Sequence, residues 1–437
     1  MNNTIKLAVA SALLAAASSA SAAGGIVAGD WTLDIGGVVN AYYTSTKFSG
    51  SAAGGTAPLG LGAGAGASVS NITTGLLPNY LSVSGKTRQN DLDVGFTISI
   101  NPGASTTDSG KQSPQQENRQ AFLTFGDASW GSIKLGKDLG IYASDAILND
   151  MTLLGVGSAA GSLAGNTTTL GRIGTGFMYA DWKSQVAYTS PNFNGFQVTA
   201  GVTQAWNAQS QLGGASSSDR GGNNPAFEGK VSYAFAGDVS GKVWASAISQ
   251  KVKNVGKAAA VADSVRFDLT NLATANDFDT TSVFVPGSPA RAGVNKTVTA
   301  FDIGANVNMA GFGLTGYYGD GRGIGQTLQL SGGFDADGNK RKSEQYYVQA
   351  TYALPGVGTK LGVSYGESKL DGTAADTFNS VTDSMWVAGV YHPITKHLNL
   401  VAEYAESERD VNDAAGGANT DAKAKAKTVS LGAILFF

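Results

Sequence analysis

The chain has 437 residues, 30 Lys and Arg against 33 Asp and Glu, and a formal charge of −3. It carries 60 glycines, 10 prolines and no cysteine, which excludes a disulfide scaffold, a thiol nucleophile and a cysteine metal site. The mild acidity leaves no nucleic-acid footprint, and a Gly-rich, Pro-poor, aromatic-bearing composition points to many strands and turns.

Residues 1–22 read as a secretory signal peptide. Lys6 supplies the positive start, residues 7–17 the short apolar core, and Ala20-Ser21-Ala22 the small-residue cleavage site. Cleavage after Ala22 leaves residues 23–437 and removes Lys6, moving the formal charge from −3 to −4. Beyond it no apolar run reaches the ~18 residues of a membrane helix. A barrel strand needs only ~9–11 residues of alternating pattern, which a hydropathy average hides.

That alternation marks sixteen strands in chain order: 30–43, 80–86, 91–100, 118–126, 131–137, 183–189, 195–205, 226–235, 240–251, 297–309, 311–320, 343–353, 358–368, 382–392, 397–408 and 426–437. In the first, Trp31, Leu33, Ile35, Val39 and Tyr43 share a face. In the third, Leu92, Val94, Phe96, Ile98 and Ile100 stand opposite Asp91, Asp93, Thr97 and Ser99. In the last, Val429, Leu431, Ala433, Leu435 and Phe437 oppose Ser430 and Gly432. Connections alternate strictly between long and short, as in 45–79, 138–182 and 252–296 against 87–90, 127–130 and 393–396. An up-and-down barrel with short turns on one side and long loops on the other requires that parity. Trp31, Phe125, Trp130, Phe196, Phe235, Phe312, Tyr352, Tyr391 and Phe437 fall near the short-turn ends, where an aromatic girdle belongs.

Three stretches then carry a resemblance: residues 30–40, residues 125–137 (Phe-Gly-Asp-Ala-Ser-Trp-Gly-Ser-Ile-Lys-Leu-Gly-Lys) and residues 188–196 (Tyr-Thr-Ser-Pro-Asn-Phe-Asn-Gly-Phe), with the terminal Phe437. With these the mature chain resembles the general porins of Gram-negative outer membranes over essentially its whole length. The resemblance implies an all-β fold, a sixteen-stranded antiparallel transmembrane β-barrel, assembled as a homotrimer, whose third loop folds inward and narrows a water-filled pore. It implies passive diffusion of small hydrophilic solutes and ions. It implies contact with outer-membrane lipid and lipopolysaccharide, and insertion by the barrel assembly machinery, with Phe437 as the signal that machinery reads.

The third loop, 138–182, opens with an apolar run from Ile141 that suits packing against an inner wall. By resemblance, Asp145 and Asp150 present carboxylates to the constriction, and Arg119 and Arg172 are basic residues of the facing wall. Lys134 and Lys137, on the strand that leads into the loop, complete the constriction charges, with Lys137 where the family often has arginine. Arg119 shares its parity with Ala121, Leu123 and Phe125, the apolar face. The sequence departs from the family at Val38 and Tyr80, where basic residues are common. It departs again at Thr152-Leu-Leu-Gly-Val-Gly157, which has lost a carboxylate, so a less charged and more apolar constriction is expected.

No catalytic residue, metal or cofactor is expected. Asp335-Ala-Asp337-Gly-Asn339 starts like a calcium loop but has Lys340 where glycine is required, and reads as an outer-loop turn. Gly155-Val-Gly157 lacks a surrounding βαβ unit and reads as flexible loop. His392 and His397 bracket a short turn, away from any outer-loop active site. Lys423, Lys425 and Lys427 read as a solvated strand edge or a contact for lipopolysaccharide phosphate. A substrate-specific channel, and an adhesin or structural barrel, are the competing readings.

Overall fold

The computed structural model describes residues 25–50, 68–105, 116–162, 168–210, 214–217, 224–258, 260, 262–267, 282–285, 287, 289–413 and 422–437. The expected signal peptide lies outside the described residues. Sixteen long antiparallel strands form one closed wall. They are β1 (Trp31–Gly50), β2 (Tyr80–Gln89), β3 (Leu92–Pro102), β4 (Ala121–Asp127), β5 (Gly131–Leu139), β6 (Trp182–Thr189), β7 (Phe196–Thr203), β8 (Ala226–Phe235), β9 (Val239–Val255), β10 (Val294–Met309), β11 (Phe312–Arg322), β12 (Lys342–Ala353), β13 (Lys360–Asp371), β14 (Phe378–Pro393), β15 (Leu398–Asp413) and β16 (Ala422–Phe436).

Each strand pairs with its chain neighbour, and β1 closes the ring by pairing residues 32–38 with β2 and 38–50 with β16. Closure leaves no barrel edge to hydrogen-bond with lipid, the condition for a sheet to cross a bilayer. Connections on one side span two to six residues; those on the other run up to 42. Asn90 and Asp91, with φ of 48° and 63°, form a two-residue turn whose left-handed backbone matches strand twist.

Alternation sorts every strand into two faces. Ile35, Val39, Tyr43, Ile98, Phe227, Ile303, Leu314, Val348, Val363 and Leu431 are exposed on the outside, as a lipid-facing band requires. The opposite side chains point into the lumen, where Tyr42, Trp244, Tyr317, Tyr347, Val387 and Val401 are buried against inward-folded loops. Tyr391 departs from the expected girdle. It shares parity with Met385 and Val387, so it faces inward, 2% exposed, and donates to Glu403 at 2.6 Å.

The wall is taller than the alternation suggests. β1, β9, β14, β15 and β16 run several residues further on the long-loop side, where side chains turn polar because lipid no longer selects them. There Lys423 and Lys425 pair with Asp410 and Glu408 at 2.5 and 2.6 Å, and Lys427 with Glu406 at 3.5 Å. The lysine stripe is therefore matched by a carboxylate stripe on β15. A further strand, Ser68–Thr73, continues the β1 pairing where a plain loop is expected. Residues 74–79 after it turn into the lumen, held by Asn40, which donates to the carbonyl of Leu77 at 2.9 Å.

Candidate functional site

The long connection after β5 folds into the barrel and crosses it. It contains a five-residue helix, α1 (Ser144–Leu148), and a 3-10 turn, Met151–Leu154. Nearly every residue described between 140 and 180 is buried, which an outer loop in water would not be. Wall side chains from six strands, β1, β8, β9, β12, β13 and β15, hydrogen-bond its backbone, as burial demands.

Two carboxylates each clamp a pair of consecutive amides. Glu228 of β8 accepts from the amides of Ile141 and Tyr142 at 2.9 and 2.8 Å, and from Lys183 and Thr203 at 2.5 and 2.8 Å. Glu403 of β15 accepts from the amides of Val156 and Gly157 at 2.7 and 2.8 Å. Between them Tyr347 of β12 donates to the carbonyl of Ala146, Gln349 spans Asn149 and Met151, and Tyr42 of β1 donates to Leu154. The Gly155–Gly157 stretch is thus fixed rather than flexible. A Cβ on Gly155 would lie 2.2 Å from Glu403 Oε1, so no larger residue fits that approach.

The expected site residues separate into two groups. Asp145, on α1, pairs with Lys230 of β8 at 2.9 Å and with Lys242 of β9. The lysines remain about a fifth to a quarter exposed (20% and 27%) while the carboxylate is 3% exposed. Burial opposes the charge of Asp145, but the two ammonium groups outweigh it and hold its carboxyl below the ordinary aspartate range. Lys134 pairs with Asp138, four residues on along the strand, and stands 4.8 Å over the Phe122 ring. Both line a cavity of about 380 Å³ beneath the loop, together with Asp34, Lys230 and the polar Ser82, Thr97, Gln185 and Thr199.

Asp150 and Arg172 are elsewhere. Arg172 belongs to the returning limb of the loop, not to the facing wall, and both side chains are fully buried. Arg172 donates to the carbonyls of Met385 and Thr175 and lies 5.9 Å over Tyr347. Asp150 caps the 3-10 turn by accepting from the amide of Thr152 at 3.1 Å. Its carboxylate lies 3.9 Å from the Arg172 guanidinium, beyond hydrogen-bond reach, and burial pushes its carboxyl up. The sequence could not separate these from Asp145, because loop charges show no periodicity.

Arg119 is placed by an irregularity: β4 begins only at Ala121, and the backbone before it leaves the ladder. Its guanidinium is 4% exposed, bonded to Glu117 at 2.7 Å and 5.8 Å over Trp182. Lys137 has the parity of Ile133 and Leu135, on the outer face, and its Nζ reaches the carbonyl of Asn118 at 2.8 Å. Asp335 accepts from the amides of Asp337 and Asn339, which closes the calcium-like stretch as a turn on itself. His392 hydrogen-bonds Thr359 at the short-turn side, at 2.8 Å.

Comparison with solved structures gives full-length matches at low identity. The outer membrane channel DcaP of Acinetobacter baumannii aligns with TM-score 0.60 at 15% identity, covering 94% of this chain and 99% of that one. The anion-selective porin from Comamonas acidovorans aligns with TM-score 0.57 at 15% identity, covering 93% and 100%. OmpF of Salmonella typhi, in complex with daunomycin, aligns with TM-score 0.52 at 15% identity, covering 94% and 99%. Among curated protein sequences none matches. The Gram-negative porin family profile matches residues 8–413. The chain therefore belongs to the Gram-negative porins, outer-membrane β-barrel channels through which solutes pass by passive diffusion.

Proposed function

We propose that the pore is narrowest where α1 meets β8 and β9, and that Asp145, Lys230 and Lys242 set the charge a solute meets there. The observation that carries this reading is the ion pairing of one loop carboxylate with two partly exposed wall lysines. Lys134 and Asp138 form a second, neutralised pair on the other side of the same cavity. Opposed charges across a narrow water-filled lumen filter ions and orient dipolar solutes. Asp150 and Arg172, sealed from the lumen, act on the shape of the loop. Arg119 closes the wall beside Trp182, and Lys137 faces outward.

The working assembly is a homotrimer in outer-membrane lipid and lipopolysaccharide, exported by a signal cleaved near Ala22 and inserted by the barrel assembly machinery through Phe437. Membership of the porin family and the exposed apolar outer face support that reading.

Planar-bilayer reversal potentials in a salt gradient test the constriction. Lys230→Gln with Lys242→Gln shifts the potential toward cations, whereas Asp150→Asn leaves it in place. A shift from Asp150→Asn alone, with none from the lysine pair, would move the constriction elsewhere.

A further inference from the structure

The connection between β11 and β12, residues 323–341, belongs to the long-loop side and is expected to stand in water. Its sequence from Gly323 to Phe334 carries no charged side chain. Every residue from 323 to 335 is buried except the half-buried Leu328. Residues 323–335 thus expose no charge and little apolar surface, as a segment folded inside does, while Asp337 and Lys340 stay at the rim.

Its contacts show where. The amide of Tyr179, on the constriction loop, donates to the carbonyl of Thr327 at 3.1 Å. Gln329 donates back to the carbonyls of Tyr179 and Ala180 at 3.0 and 3.1 Å and accepts from Lys183 at 2.7 Å. Ile324, Leu330 and Phe334 join an apolar cluster with Met178 of the constriction loop and with Ile248, Val252 and Val298 on the inner face of β9 and β10. Gln326 donates to the carbonyl of Ser368 at 2.6 Å.

Arg341 fastens the seated loop. It is fully buried, forks onto both carboxylate oxygens of Asp376 in the β13–β14 connection, donates to the carbonyl of Gly332 at 2.9 Å, and lies 5.1 Å over the Phe378 ring. A two-point guanidinium–carboxylate fork fixes direction as well as distance.

We infer that residues 323–341 are a second pore-narrowing element, seated on the first and positioned by Arg341. They fill the β9–β14 side of the lumen, so solute traffic is confined to the β1–β8 side, where the open cavity lies. The size limit of the channel is then set jointly by two loops. This inference rests on the diffusion-channel reading only for its conductance readout.

The hydrogen bond from Gly323 to Arg341 at 2.9 Å leaves the ends of the loop in hairpin register, so residues 324–340 can be replaced by Asn-Gly. That variant should raise single-channel conductance about twofold and raise the entry rate of a disaccharide relative to a monosaccharide in liposome swelling. Unchanged conductance and an unchanged ratio would overturn the inference. A second variant does not depend on deleting anything. Tyr179→Cys with Leu328→Cys introduces the only two thiols into a cysteine-free chain, at positions that face each other in a parallel bridge. Oxidation in the membrane should join them without changing conductance. Failure to join, or a drop in conductance on joining, shows that the loop does not reside inside. A wild type without any conductance steps would count against the channel reading, and the crosslink would still decide this one.

Discussion

At the level of single residues, the side chains that matter most are wall carboxylates spent on backbone amides rather than on solute. Glu403 captures two consecutive amides because Gly155 leaves room for it. Gly155→Ala puts a methyl group 2.2 Å from Oε1 and forces the carboxylate or the loop to move. Overpacking of this kind costs ~1–3 kcal/mol. The expected outcome is a lower denaturant midpoint in detergent and a noisier open channel; a quiet channel with an unchanged midpoint would mean Glu403 swings aside freely. Asp145 gives a pH prediction. Its carboxyl is held below the ordinary aspartate range, so the stabilisation is fully present above that range and is lost as pH falls through the lowered value. The difference in conductance between wild type and Asp145→Asn should stay constant from neutral pH down through the ordinary aspartate range and disappear only in stronger acid. A difference that fades near neutral pH would refute the pairing. Asp145 enters the lumen because it lies on the inward-folded loop, and Lys134 because its strand parity points it there. The alternation of β8 and β15 marks Glu228 and Glu403 only as inward-facing charges. Nothing in a strand's alternation says which inward carboxylate meets water and which meets a loop.

At the level of elements, the sixteen strands were readable because lipid and water impose a period of two on each. Where that selection stops, the reading stopped too. The polar outer extensions of β15 and β16 are held by cross-strand ion pairs rather than by an apolar face, and Ser68–Thr73 pairs as a strand with no apolar face, its Val69 and Ile72 lying on opposite sides. Arg119 illustrates the same limit. Its parity pointed to lipid, and the break in the ladder before Ala121 lets it bury against Trp182 instead. The final strand carries a prediction of its own. Phe437 exchanges both backbone hydrogen bonds with Gly37, at 2.9 and 3.1 Å, while its ring stays 41% exposed. Deleting it removes two hydrogen bonds of net ~1 kcal/mol each from a ladder that otherwise remains whole. If its role is to be read during assembly, the amount of inserted protein should fall severalfold while the conductance of each inserted channel stays the same. Normal yield of inserted trimer after the deletion would overturn that role.

At the level of the whole molecule, the lumen is unlike a lined pipe. One side holds a polar cavity; the other holds apolar packing continuous with the loops, in which Phe177 of the constriction loop meets the rings of Tyr317 and Tyr347 at 6.5 and 5.7 Å. That filling contributes to the stability of the wall as well as narrowing the channel, because the same buried side chains belong to both. A short apolar opening of the third loop was readable from sequence; that it forms one core with tyrosines from β11 and β12 was not, because those tyrosines lie more than a hundred residues away. Phe177 is fully buried, and truncating such a ring to alanine costs ~3–5 kcal/mol where the surroundings cannot collapse. A closed sheet cannot move inward to fill the void, so the cost should fall in the upper part of that range. The expected result for Phe177→Ala is that the folded barrel, followed by its faster migration in unheated detergent gels, converts to the unfolded form at a clearly lower temperature than wild type. Conductance should rise in the same variant as the loop loosens. If conductance rises but the conversion temperature does not move, the loops sit in a barrel that is stable without them. If both move together, wall and filling unfold as one cooperative unit, and the pore cannot be widened from that side without weakening the barrel.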